Sequence, residues 1–171
     1  MDAVTALRAG EVVILPTDTV YGLCSLPEHA GKLTALKQRP SMPIALVCAD
    51  VATLVELVPE IPAERVRTGP YTLVFPNPAG RFPELGSAAT IGVRVPDLPA
   101  VTAEVVRAVG AVAATSANIH GGGDPCRLDD IPAVIRAACA VEIDGGNLPG
   151  VASTVVDLSG SVPRVVRRGA R

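Results

Sequence analysis

This chain has no tryptophan, two tyrosines and two phenylalanines among its 171 residues. So few rings leave little material for a base-stacking platform of the kind that binds single strands. Nor is there an excess of positive charge: 15 Lys and Arg against 17 Asp and Glu give a net charge of -2, which does not point to a phosphate backbone held by bulk charge. The two histidines and four cysteines contain no CxxC pair, so a structural zinc site is not expected, and Cys24, Cys48, Cys126 and Cys139 read as small hydrophobes. The apolar fraction is 49%, but no run approaches the roughly 18 apolar residues of a membrane span. The start lacks a basic stretch followed by an apolar one, so no signal peptide is read and a cytoplasmic protein is expected. The common phosphate loops, GxxxxGK[ST] and GxGxxG between strand and helix, are also missing. A nucleotide site in this chain would need discrete cations and hydroxyls instead.

What is present alternates between helix and strand, as in an α/β sheet domain spanning 1–171. "DAVTALRAG" predicts a short helix with Asp2 at its start and Gly10 past its end. "EVVILP" predicts a strand. "PEHAGKLTALKQRP" carries a helix that Pro40 stops, and "PIALVCA" is continuous enough for a buried strand. Asp50 reads as the N-cap of "VATLVELV". "YTLVFPNP" and "TIGVRVP" predict strands, "LPAVTAEVVRAVG" a helix, and "AVAATSAN" a strand that turns polar. "LDDIPAVIRAACA" predicts another helix, "VEID" a short strand, and "ASTVVDLSG" with "PRVVRR" two strands around a tight turn. Periodicity does not provide the strand order.

The polar stretches carry the chemistry. "LPTDTVYGL" follows a buried strand with Thr17, Asp18, Thr19 and Tyr21, a set of stiff donors and acceptors rather than an Asn-Gly turn. Such hydroxyls either satisfy neighbouring backbone or face a site. Lys37 and Arg39 lie two apart at a proline-fixed helix exit. Alone they suit a helix C-terminus; converged on one point they need an anion. Arg94 interrupts "TIGVRVP", opposite in face to Ile91, Val93 and Val95 and sharing its face with Thr90 and Gly92. On a cleft wall it can hold a carboxylate through two parallel bonds. "TSAN" sets Thr115, Ser116 and Asn118 at a strand end before "HGGGD", and "DGGNLPG" leads into Ser153 and Thr154.

In this order, "PTDTVYGL", "KQRP", "GPYTLVFP", "TIGVRVP", "TSAN", "DGG" and "STVVD" resemble the YrdC-like family of threonylcarbamoyl-AMP synthases, from about Glu11 to Gly169. The resemblance implies a twisted mixed α/β sheet with flanking helices around a large, positively lined central cavity. It implies the condensation of ATP, L-threonine and bicarbonate, with Mg²⁺, into threonylcarbamoyl-adenylate and pyrophosphate. A partner transferase complex then passes the threonylcarbamoyl group to tRNA. Carried over by motif, Thr17 contacts threonine, Arg94 clamps its carboxylate and Ser153 helps. Lys37 and Arg39 hold the ATP phosphates, Thr90, Ser116 and Asn118 lie on the nucleotide, and Arg167 in "VVRRG" reaches it. Lys37, Arg39, Ser116 and Asn118 form the catalytic set. No side-chain nucleophile is required, in keeping with the lack of a Ser-His-Asp set.

"SMPIALVCAD" and "GPYTLVF" look more like the YciO paralogues. The alternative expectation is therefore a paralogue that binds double-stranded RNA or tRNA without making the adenylate.

Overall fold

The computed structural model describes residues 1–37 and 43–171. Helix α1 (Ala3–Arg8) starts where the Asp2 carboxylate accepts the Thr5 amide at 2.9 Å, and Gly10, at φ +79°, turns the chain away. Strands β1 (Val13–Pro16) and β2 (Tyr21–Ser25) follow, then α2 (Ala30–Leu36), β3 (Ala45–Cys48) and α3 (Val51–Leu57). Asp50 caps α3 through the Thr53 amide, as its position before an apolar run predicts. Next come β4 (Tyr71–Pro76), β5 (Thr90–Arg94), α4 (Ala100–Val109) and β6 (Ala111–Ser116). The chain closes with α5 (Ala133–Arg136), β7 (Val141–Glu142), β8 (Thr154–Asp157) and β9 (Arg164–Arg167).

The described strands form one mixed sheet in the order β7-β1-β2-β6-β3-β5-β4-β8-β9. Pairing is parallel for β1/β7, β3/β5 and β4/β8, and antiparallel elsewhere. Side chains alternate between two faces. One face buries Leu23, Leu46, Val93 and Phe75 against Leu33 of α2 and Leu54 of α3. The other has two halves. Over one half, Cys24, Val47 and Val112 pack against Leu7 of α1 and Val106 of α4. Two residues further along the same strands, the register brings Gly22, Ala114, Ala45 and Gly92 onto that same face, and these small residues floor a cavity.

Two elements differ from expectation. "PTDTVYGL" is a hairpin with a second strand, β2, rather than a strand end, because Pro16 pairs with Tyr21 and residues 17–20 turn between them. Every residue of β2 is buried, so its sequence lacks the alternation that marks a strand with one wet face. The helix expected over "LDDIPAVIRAACA" shrinks to a 3-10 turn at Leu128–Asp130 and the four-residue α5, since Pro132 prevents one continuous helix.

The C-terminal end of the sheet depends on a close backbone approach. Ala170 accepts a bond from Thr154 Oγ1 (2.8 Å) and its amide donates to Ala152 O (2.8 Å). A Cβ on Gly169 would collide with the Ala152 carbonyl and with the backbone of Ser153. Gly169→Ala is therefore expected to destabilise the fold by about 2 kcal/mol, since backbone cannot yield as a side chain can. Urea unfolding measures this, and an unchanged midpoint would show that the segment moves at no cost.

Candidate functional site

The open half of the sheet face lines a cavity of about 640 Å³. Its walls carry all eight sequence-predicted site residues that lie among the described ones. Arg39 lies outside the described residues. Thr90 and Arg94 rise from β5 beside Gly92, on the face opposite the buried Ile91 and Val93. Ser116 ends β6 and Asn118 follows it. Ser153 and Arg167 stand on β8's approach and on β9, and Thr17 on the β1–β2 hairpin.

Lys37 is the C-cap residue of α2 and is 6% exposed. Its ammonium donates to Ser116 O (2.6 Å), Asn118 Oδ1 (2.7 Å) and Asn118 O (2.9 Å). Ser116 Oγ donates to the same Asn118 Oδ1 at 2.8 Å. The Asn118 amide nitrogen in turn donates to the carbonyls of Gly122 and Gly123. Asn118 is thus a junction, holding the Lys37 ammonium on one side and the "HGGGD" loop on the other. Its side-chain amide is committed within the protein, which is a different arrangement from an amide turned outward to a nucleotide.

Arg94 Nη2 donates to Asp18 Oδ1 at 2.7 Å, and the two side chains are only 11% and 8% exposed. Burial pulls the Arg94 guanidinium below its ordinary range, the Asp18 carboxylate counters this, and the like charge of Arg167 adds to the lowering. A guanidinium nevertheless stays protonated at physiological pH. Arg167 donates through Nη2 to Ser153 O (2.9 Å) and Ser153 Oγ (3.2 Å). Ser153 Oγ lies 2.8 Å from Thr72 Oγ1, a cavity hydroxyl that the sequence did not single out.

The hydroxyls of the opening motif are largely occupied with the hairpin. Thr17 Oγ1 donates to Val20 O (2.7 Å) and accepts the amides of Thr19 and Val20. Tyr21 Oη lies within 3.0 Å of Asp144 Oδ1 and the Gly146 carbonyl, its single proton serving one of them, and accepts from the Gly145 amide. It ties the "DGGNLPG" loop to β2. Gly145 allows this approach, since a Cβ there would strike the ring of Pro16. His120 and Asp124 also line the cavity, from the glycine loop.

Burial pushes the thiols of Cys24 and Cys48 up to about 12 and that of Cys139 to about 11, so all three stay neutral and serve as packing groups. No group of three or more His, Cys, Asp or Glu side chains among the described residues is placed to hold a metal ion. No described helix is long and apolar enough to cross a membrane.

A sheet face floored by small residues, with Lys37, Arg94, Arg164 and Arg167 around it, defines a cation-lined cavity in an α/β fold. The family model for Sua5, YciO and YrdC proteins, described as Telomere recombination, matches residues 5–169. This chain belongs to that family. A Mycobacterium tuberculosis protein provisionally named threonylcarbamoyl-AMP synthase is 34% identical, with 99% of this chain and 83% of the relative covered. The Bacillus subtilis threonylcarbamoyl-AMP synthase is 32% identical over 98% of this chain and 52% of its own length. Among solved structures, P. abyssi Sua5 complexed with L-threonine superposes with a TM-score of 0.84 at 31% identity, covering 98% of this chain and 53% of that one. E. coli YciO superposes with a TM-score of 0.81 at 26% identity, covering 98% and 87%. The chain spans about half the length of the Bacillus and Pyrococcus proteins.

Proposed function

We propose that this chain is an L-threonylcarbamoyladenylate synthase, a nucleotidyltransferase that converts ATP, L-threonine and bicarbonate into threonylcarbamoyl-AMP and pyrophosphate. The observation that carries this reading is the convergence of Lys37, Arg94, Ser116, Asn118, Ser153 and Arg167 on one cavity from five separate parts of the chain. The names of the relatives support it.

Carboxylation of the threonine amine gives a carbamate, whose oxygen attacks the α-phosphorus and displaces pyrophosphate. Negative charge grows on the phosphoryl oxygens and on the leaving group, and fixed cations stabilise it without reorganising. Lys37, with Arg39 beside it in sequence, is assigned to the triphosphate. Arg167 is assigned to the nucleotide, Thr90 and Ser116 to its surroundings, and Asn118 to holding Lys37. Arg94 takes the threonine carboxylate, with Thr17 and Ser153 at the amino-acid end. Mg²⁺ enters as part of the nucleotide substrate, carried by the triphosphate rather than by a protein cluster. The product then passes, in the cytoplasm, to a transferase complex that modifies tRNA.

Incubation with ATP, threonine, bicarbonate and Mg²⁺ should release pyrophosphate only when all are present. No threonine-dependent release, together with tight binding of tRNA or double-stranded RNA, would favour the YciO-like alternative, which the likeness to E. coli YciO keeps in view. Amino-acid selectivity adds a second test. A site that pairs with a substrate hydroxyl rejects an analogue lacking one, because its own polar groups are left unpaired. Serine should be poorer than threonine by roughly 10-fold in kcat/KM, having lost a methyl contact, and valine poorer by orders of magnitude more. Equal rates with valine and threonine would remove the threonine assignment.

A further inference from the structure

We infer that Asp18 is the positioning residue for Arg94, anchoring one prong of the guanidinium so that the other, Nη1, faces an amino-acid carboxylate in the cavity. This rests on the threonine reading of the site. Two ion pairs in the molecule make the contrast. At the surface, Arg81 meets Glu60 fork to fork, Nε to Oε2 at 2.8 Å and Nη2 to Oε1 at 2.9 Å. That geometry uses one whole edge of the guanidinium and both carboxylate oxygens.

The buried pair does not close in this way. Asp18 takes only Nη2, through Oδ1, while Asp18 Oδ2 and Arg94 Nε are both buried without a hydrogen-bond partner. Leaving two such atoms unpaired is costly, and the same two side chains could satisfy them by a fork-to-fork contact. Nη2 also reaches Thr19 Oγ1 at 3.4 Å, so the end-on arrangement leaves Nη1 without a bond to any described residue, and Nη1 is the prong open to a ligand carboxylate. Asp18 itself is not on the cavity wall, whereas Arg94 is. The aspartate therefore acts through the arginine. Its charge also offsets the repulsion between Arg94 and Arg167.

Two effects of removing Asp18 oppose each other. The Arg94 charge becomes less neutralised, which favours an anion, and the fork loses its anchor. The anchor decides, because a planar fork binds a carboxylate well only when it is held in register. Asp18→Ala is expected to raise the threonine KM by about 10-fold while the ATP KM stays within about 2-fold. In the double variant with Arg94→Lys, threonine KM should be no higher than in Arg94→Lys alone, since both changes act through one fork. If Asp18→Ala does not fold, Asp18→Asn, which keeps an acceptor but not the charge, should raise threonine KM severalfold with the same indifference to ATP. A folded variant with wild-type threonine KM, or effects that multiply in the double variant, would overturn the inference alone. A wild-type protein that releases no threonine-dependent pyrophosphate would overturn the inference and the proposed function together.

Discussion

Lys37→Ala is expected to lower threonine-dependent pyrophosphate release by about 10²-fold or more, the loss typical of one transition-state charge contact. Arg39→Ala is expected to do the same, from its place two residues on. The ammonium of Lys37 is held by the carbonyls of Ser116 and Asn118 and by Asn118 Oδ1, so its position is set before any substrate arrives. That preorganisation is what makes a fixed cation effective against developing phosphoryl charge. Truncation also strips those oxygens of a donor and costs about 1–3 kcal/mol of stability. The melting temperature separates the two effects. A folded variant with a large fall in kcat supports the phosphate assignment, and near wild-type rates at both positions would sink it.

The second large effect is expected from Arg94→Lys, a change that keeps the charge. Threonine KM should rise roughly 10- to 100-fold, the equivalent of about 1.5–3 kcal/mol for a lost charge-assisted bond, with ATP KM nearly unchanged. Lysine cannot divide itself between Asp18 and a substrate carboxylate as the guanidinium does. Its compact ammonium would settle on the Asp18 carboxylate, 2.7 Å from where Nη2 now sits. Alanine is the less informative change, since removing one partner of a buried ion pair costs about 3–5 kcal/mol and confounds binding with folding. An unchanged threonine KM in Arg94→Lys would place the amino acid elsewhere in the cavity.

The site was legible in the sequence mainly as residue types in unusual places. Arg94 interrupts an apolar alternation, and its face, shared with Thr90 and Gly92, proves to be the cavity floor and wall. Ser116 and Asn118 follow an apolar strand just where β6 runs out over the cavity. Asp18 was visible as a charge within a buried motif but not as the partner of Arg94, because the two are 76 residues apart. Thr72 gave no signal, since a threonine in a strand is ordinary on any face.

The sequence by itself determined the α/β class, most of the strands, the caps at Asp2 and Asp50, and the inventory of cations and hydroxyls. These depend on local periodicity and on bonds between near neighbours, which a short window contains. Tertiary structure alone decided the strand order, the second strand of the first hairpin, and which half of one sheet face stays open. It also decided that Lys37 meets Ser116 and Asn118, 79 and 81 residues away, and that Arg94 is anchored end-on by Asp18. The physical reason is that strand pairing and ion pairing take their energy from neighbours across the sheet. Until the register β2-β6-β3-β5 is set, Gly22, Ala114, Ala45 and Gly92 are four scattered small residues, and only their alignment makes them the floor of a cavity.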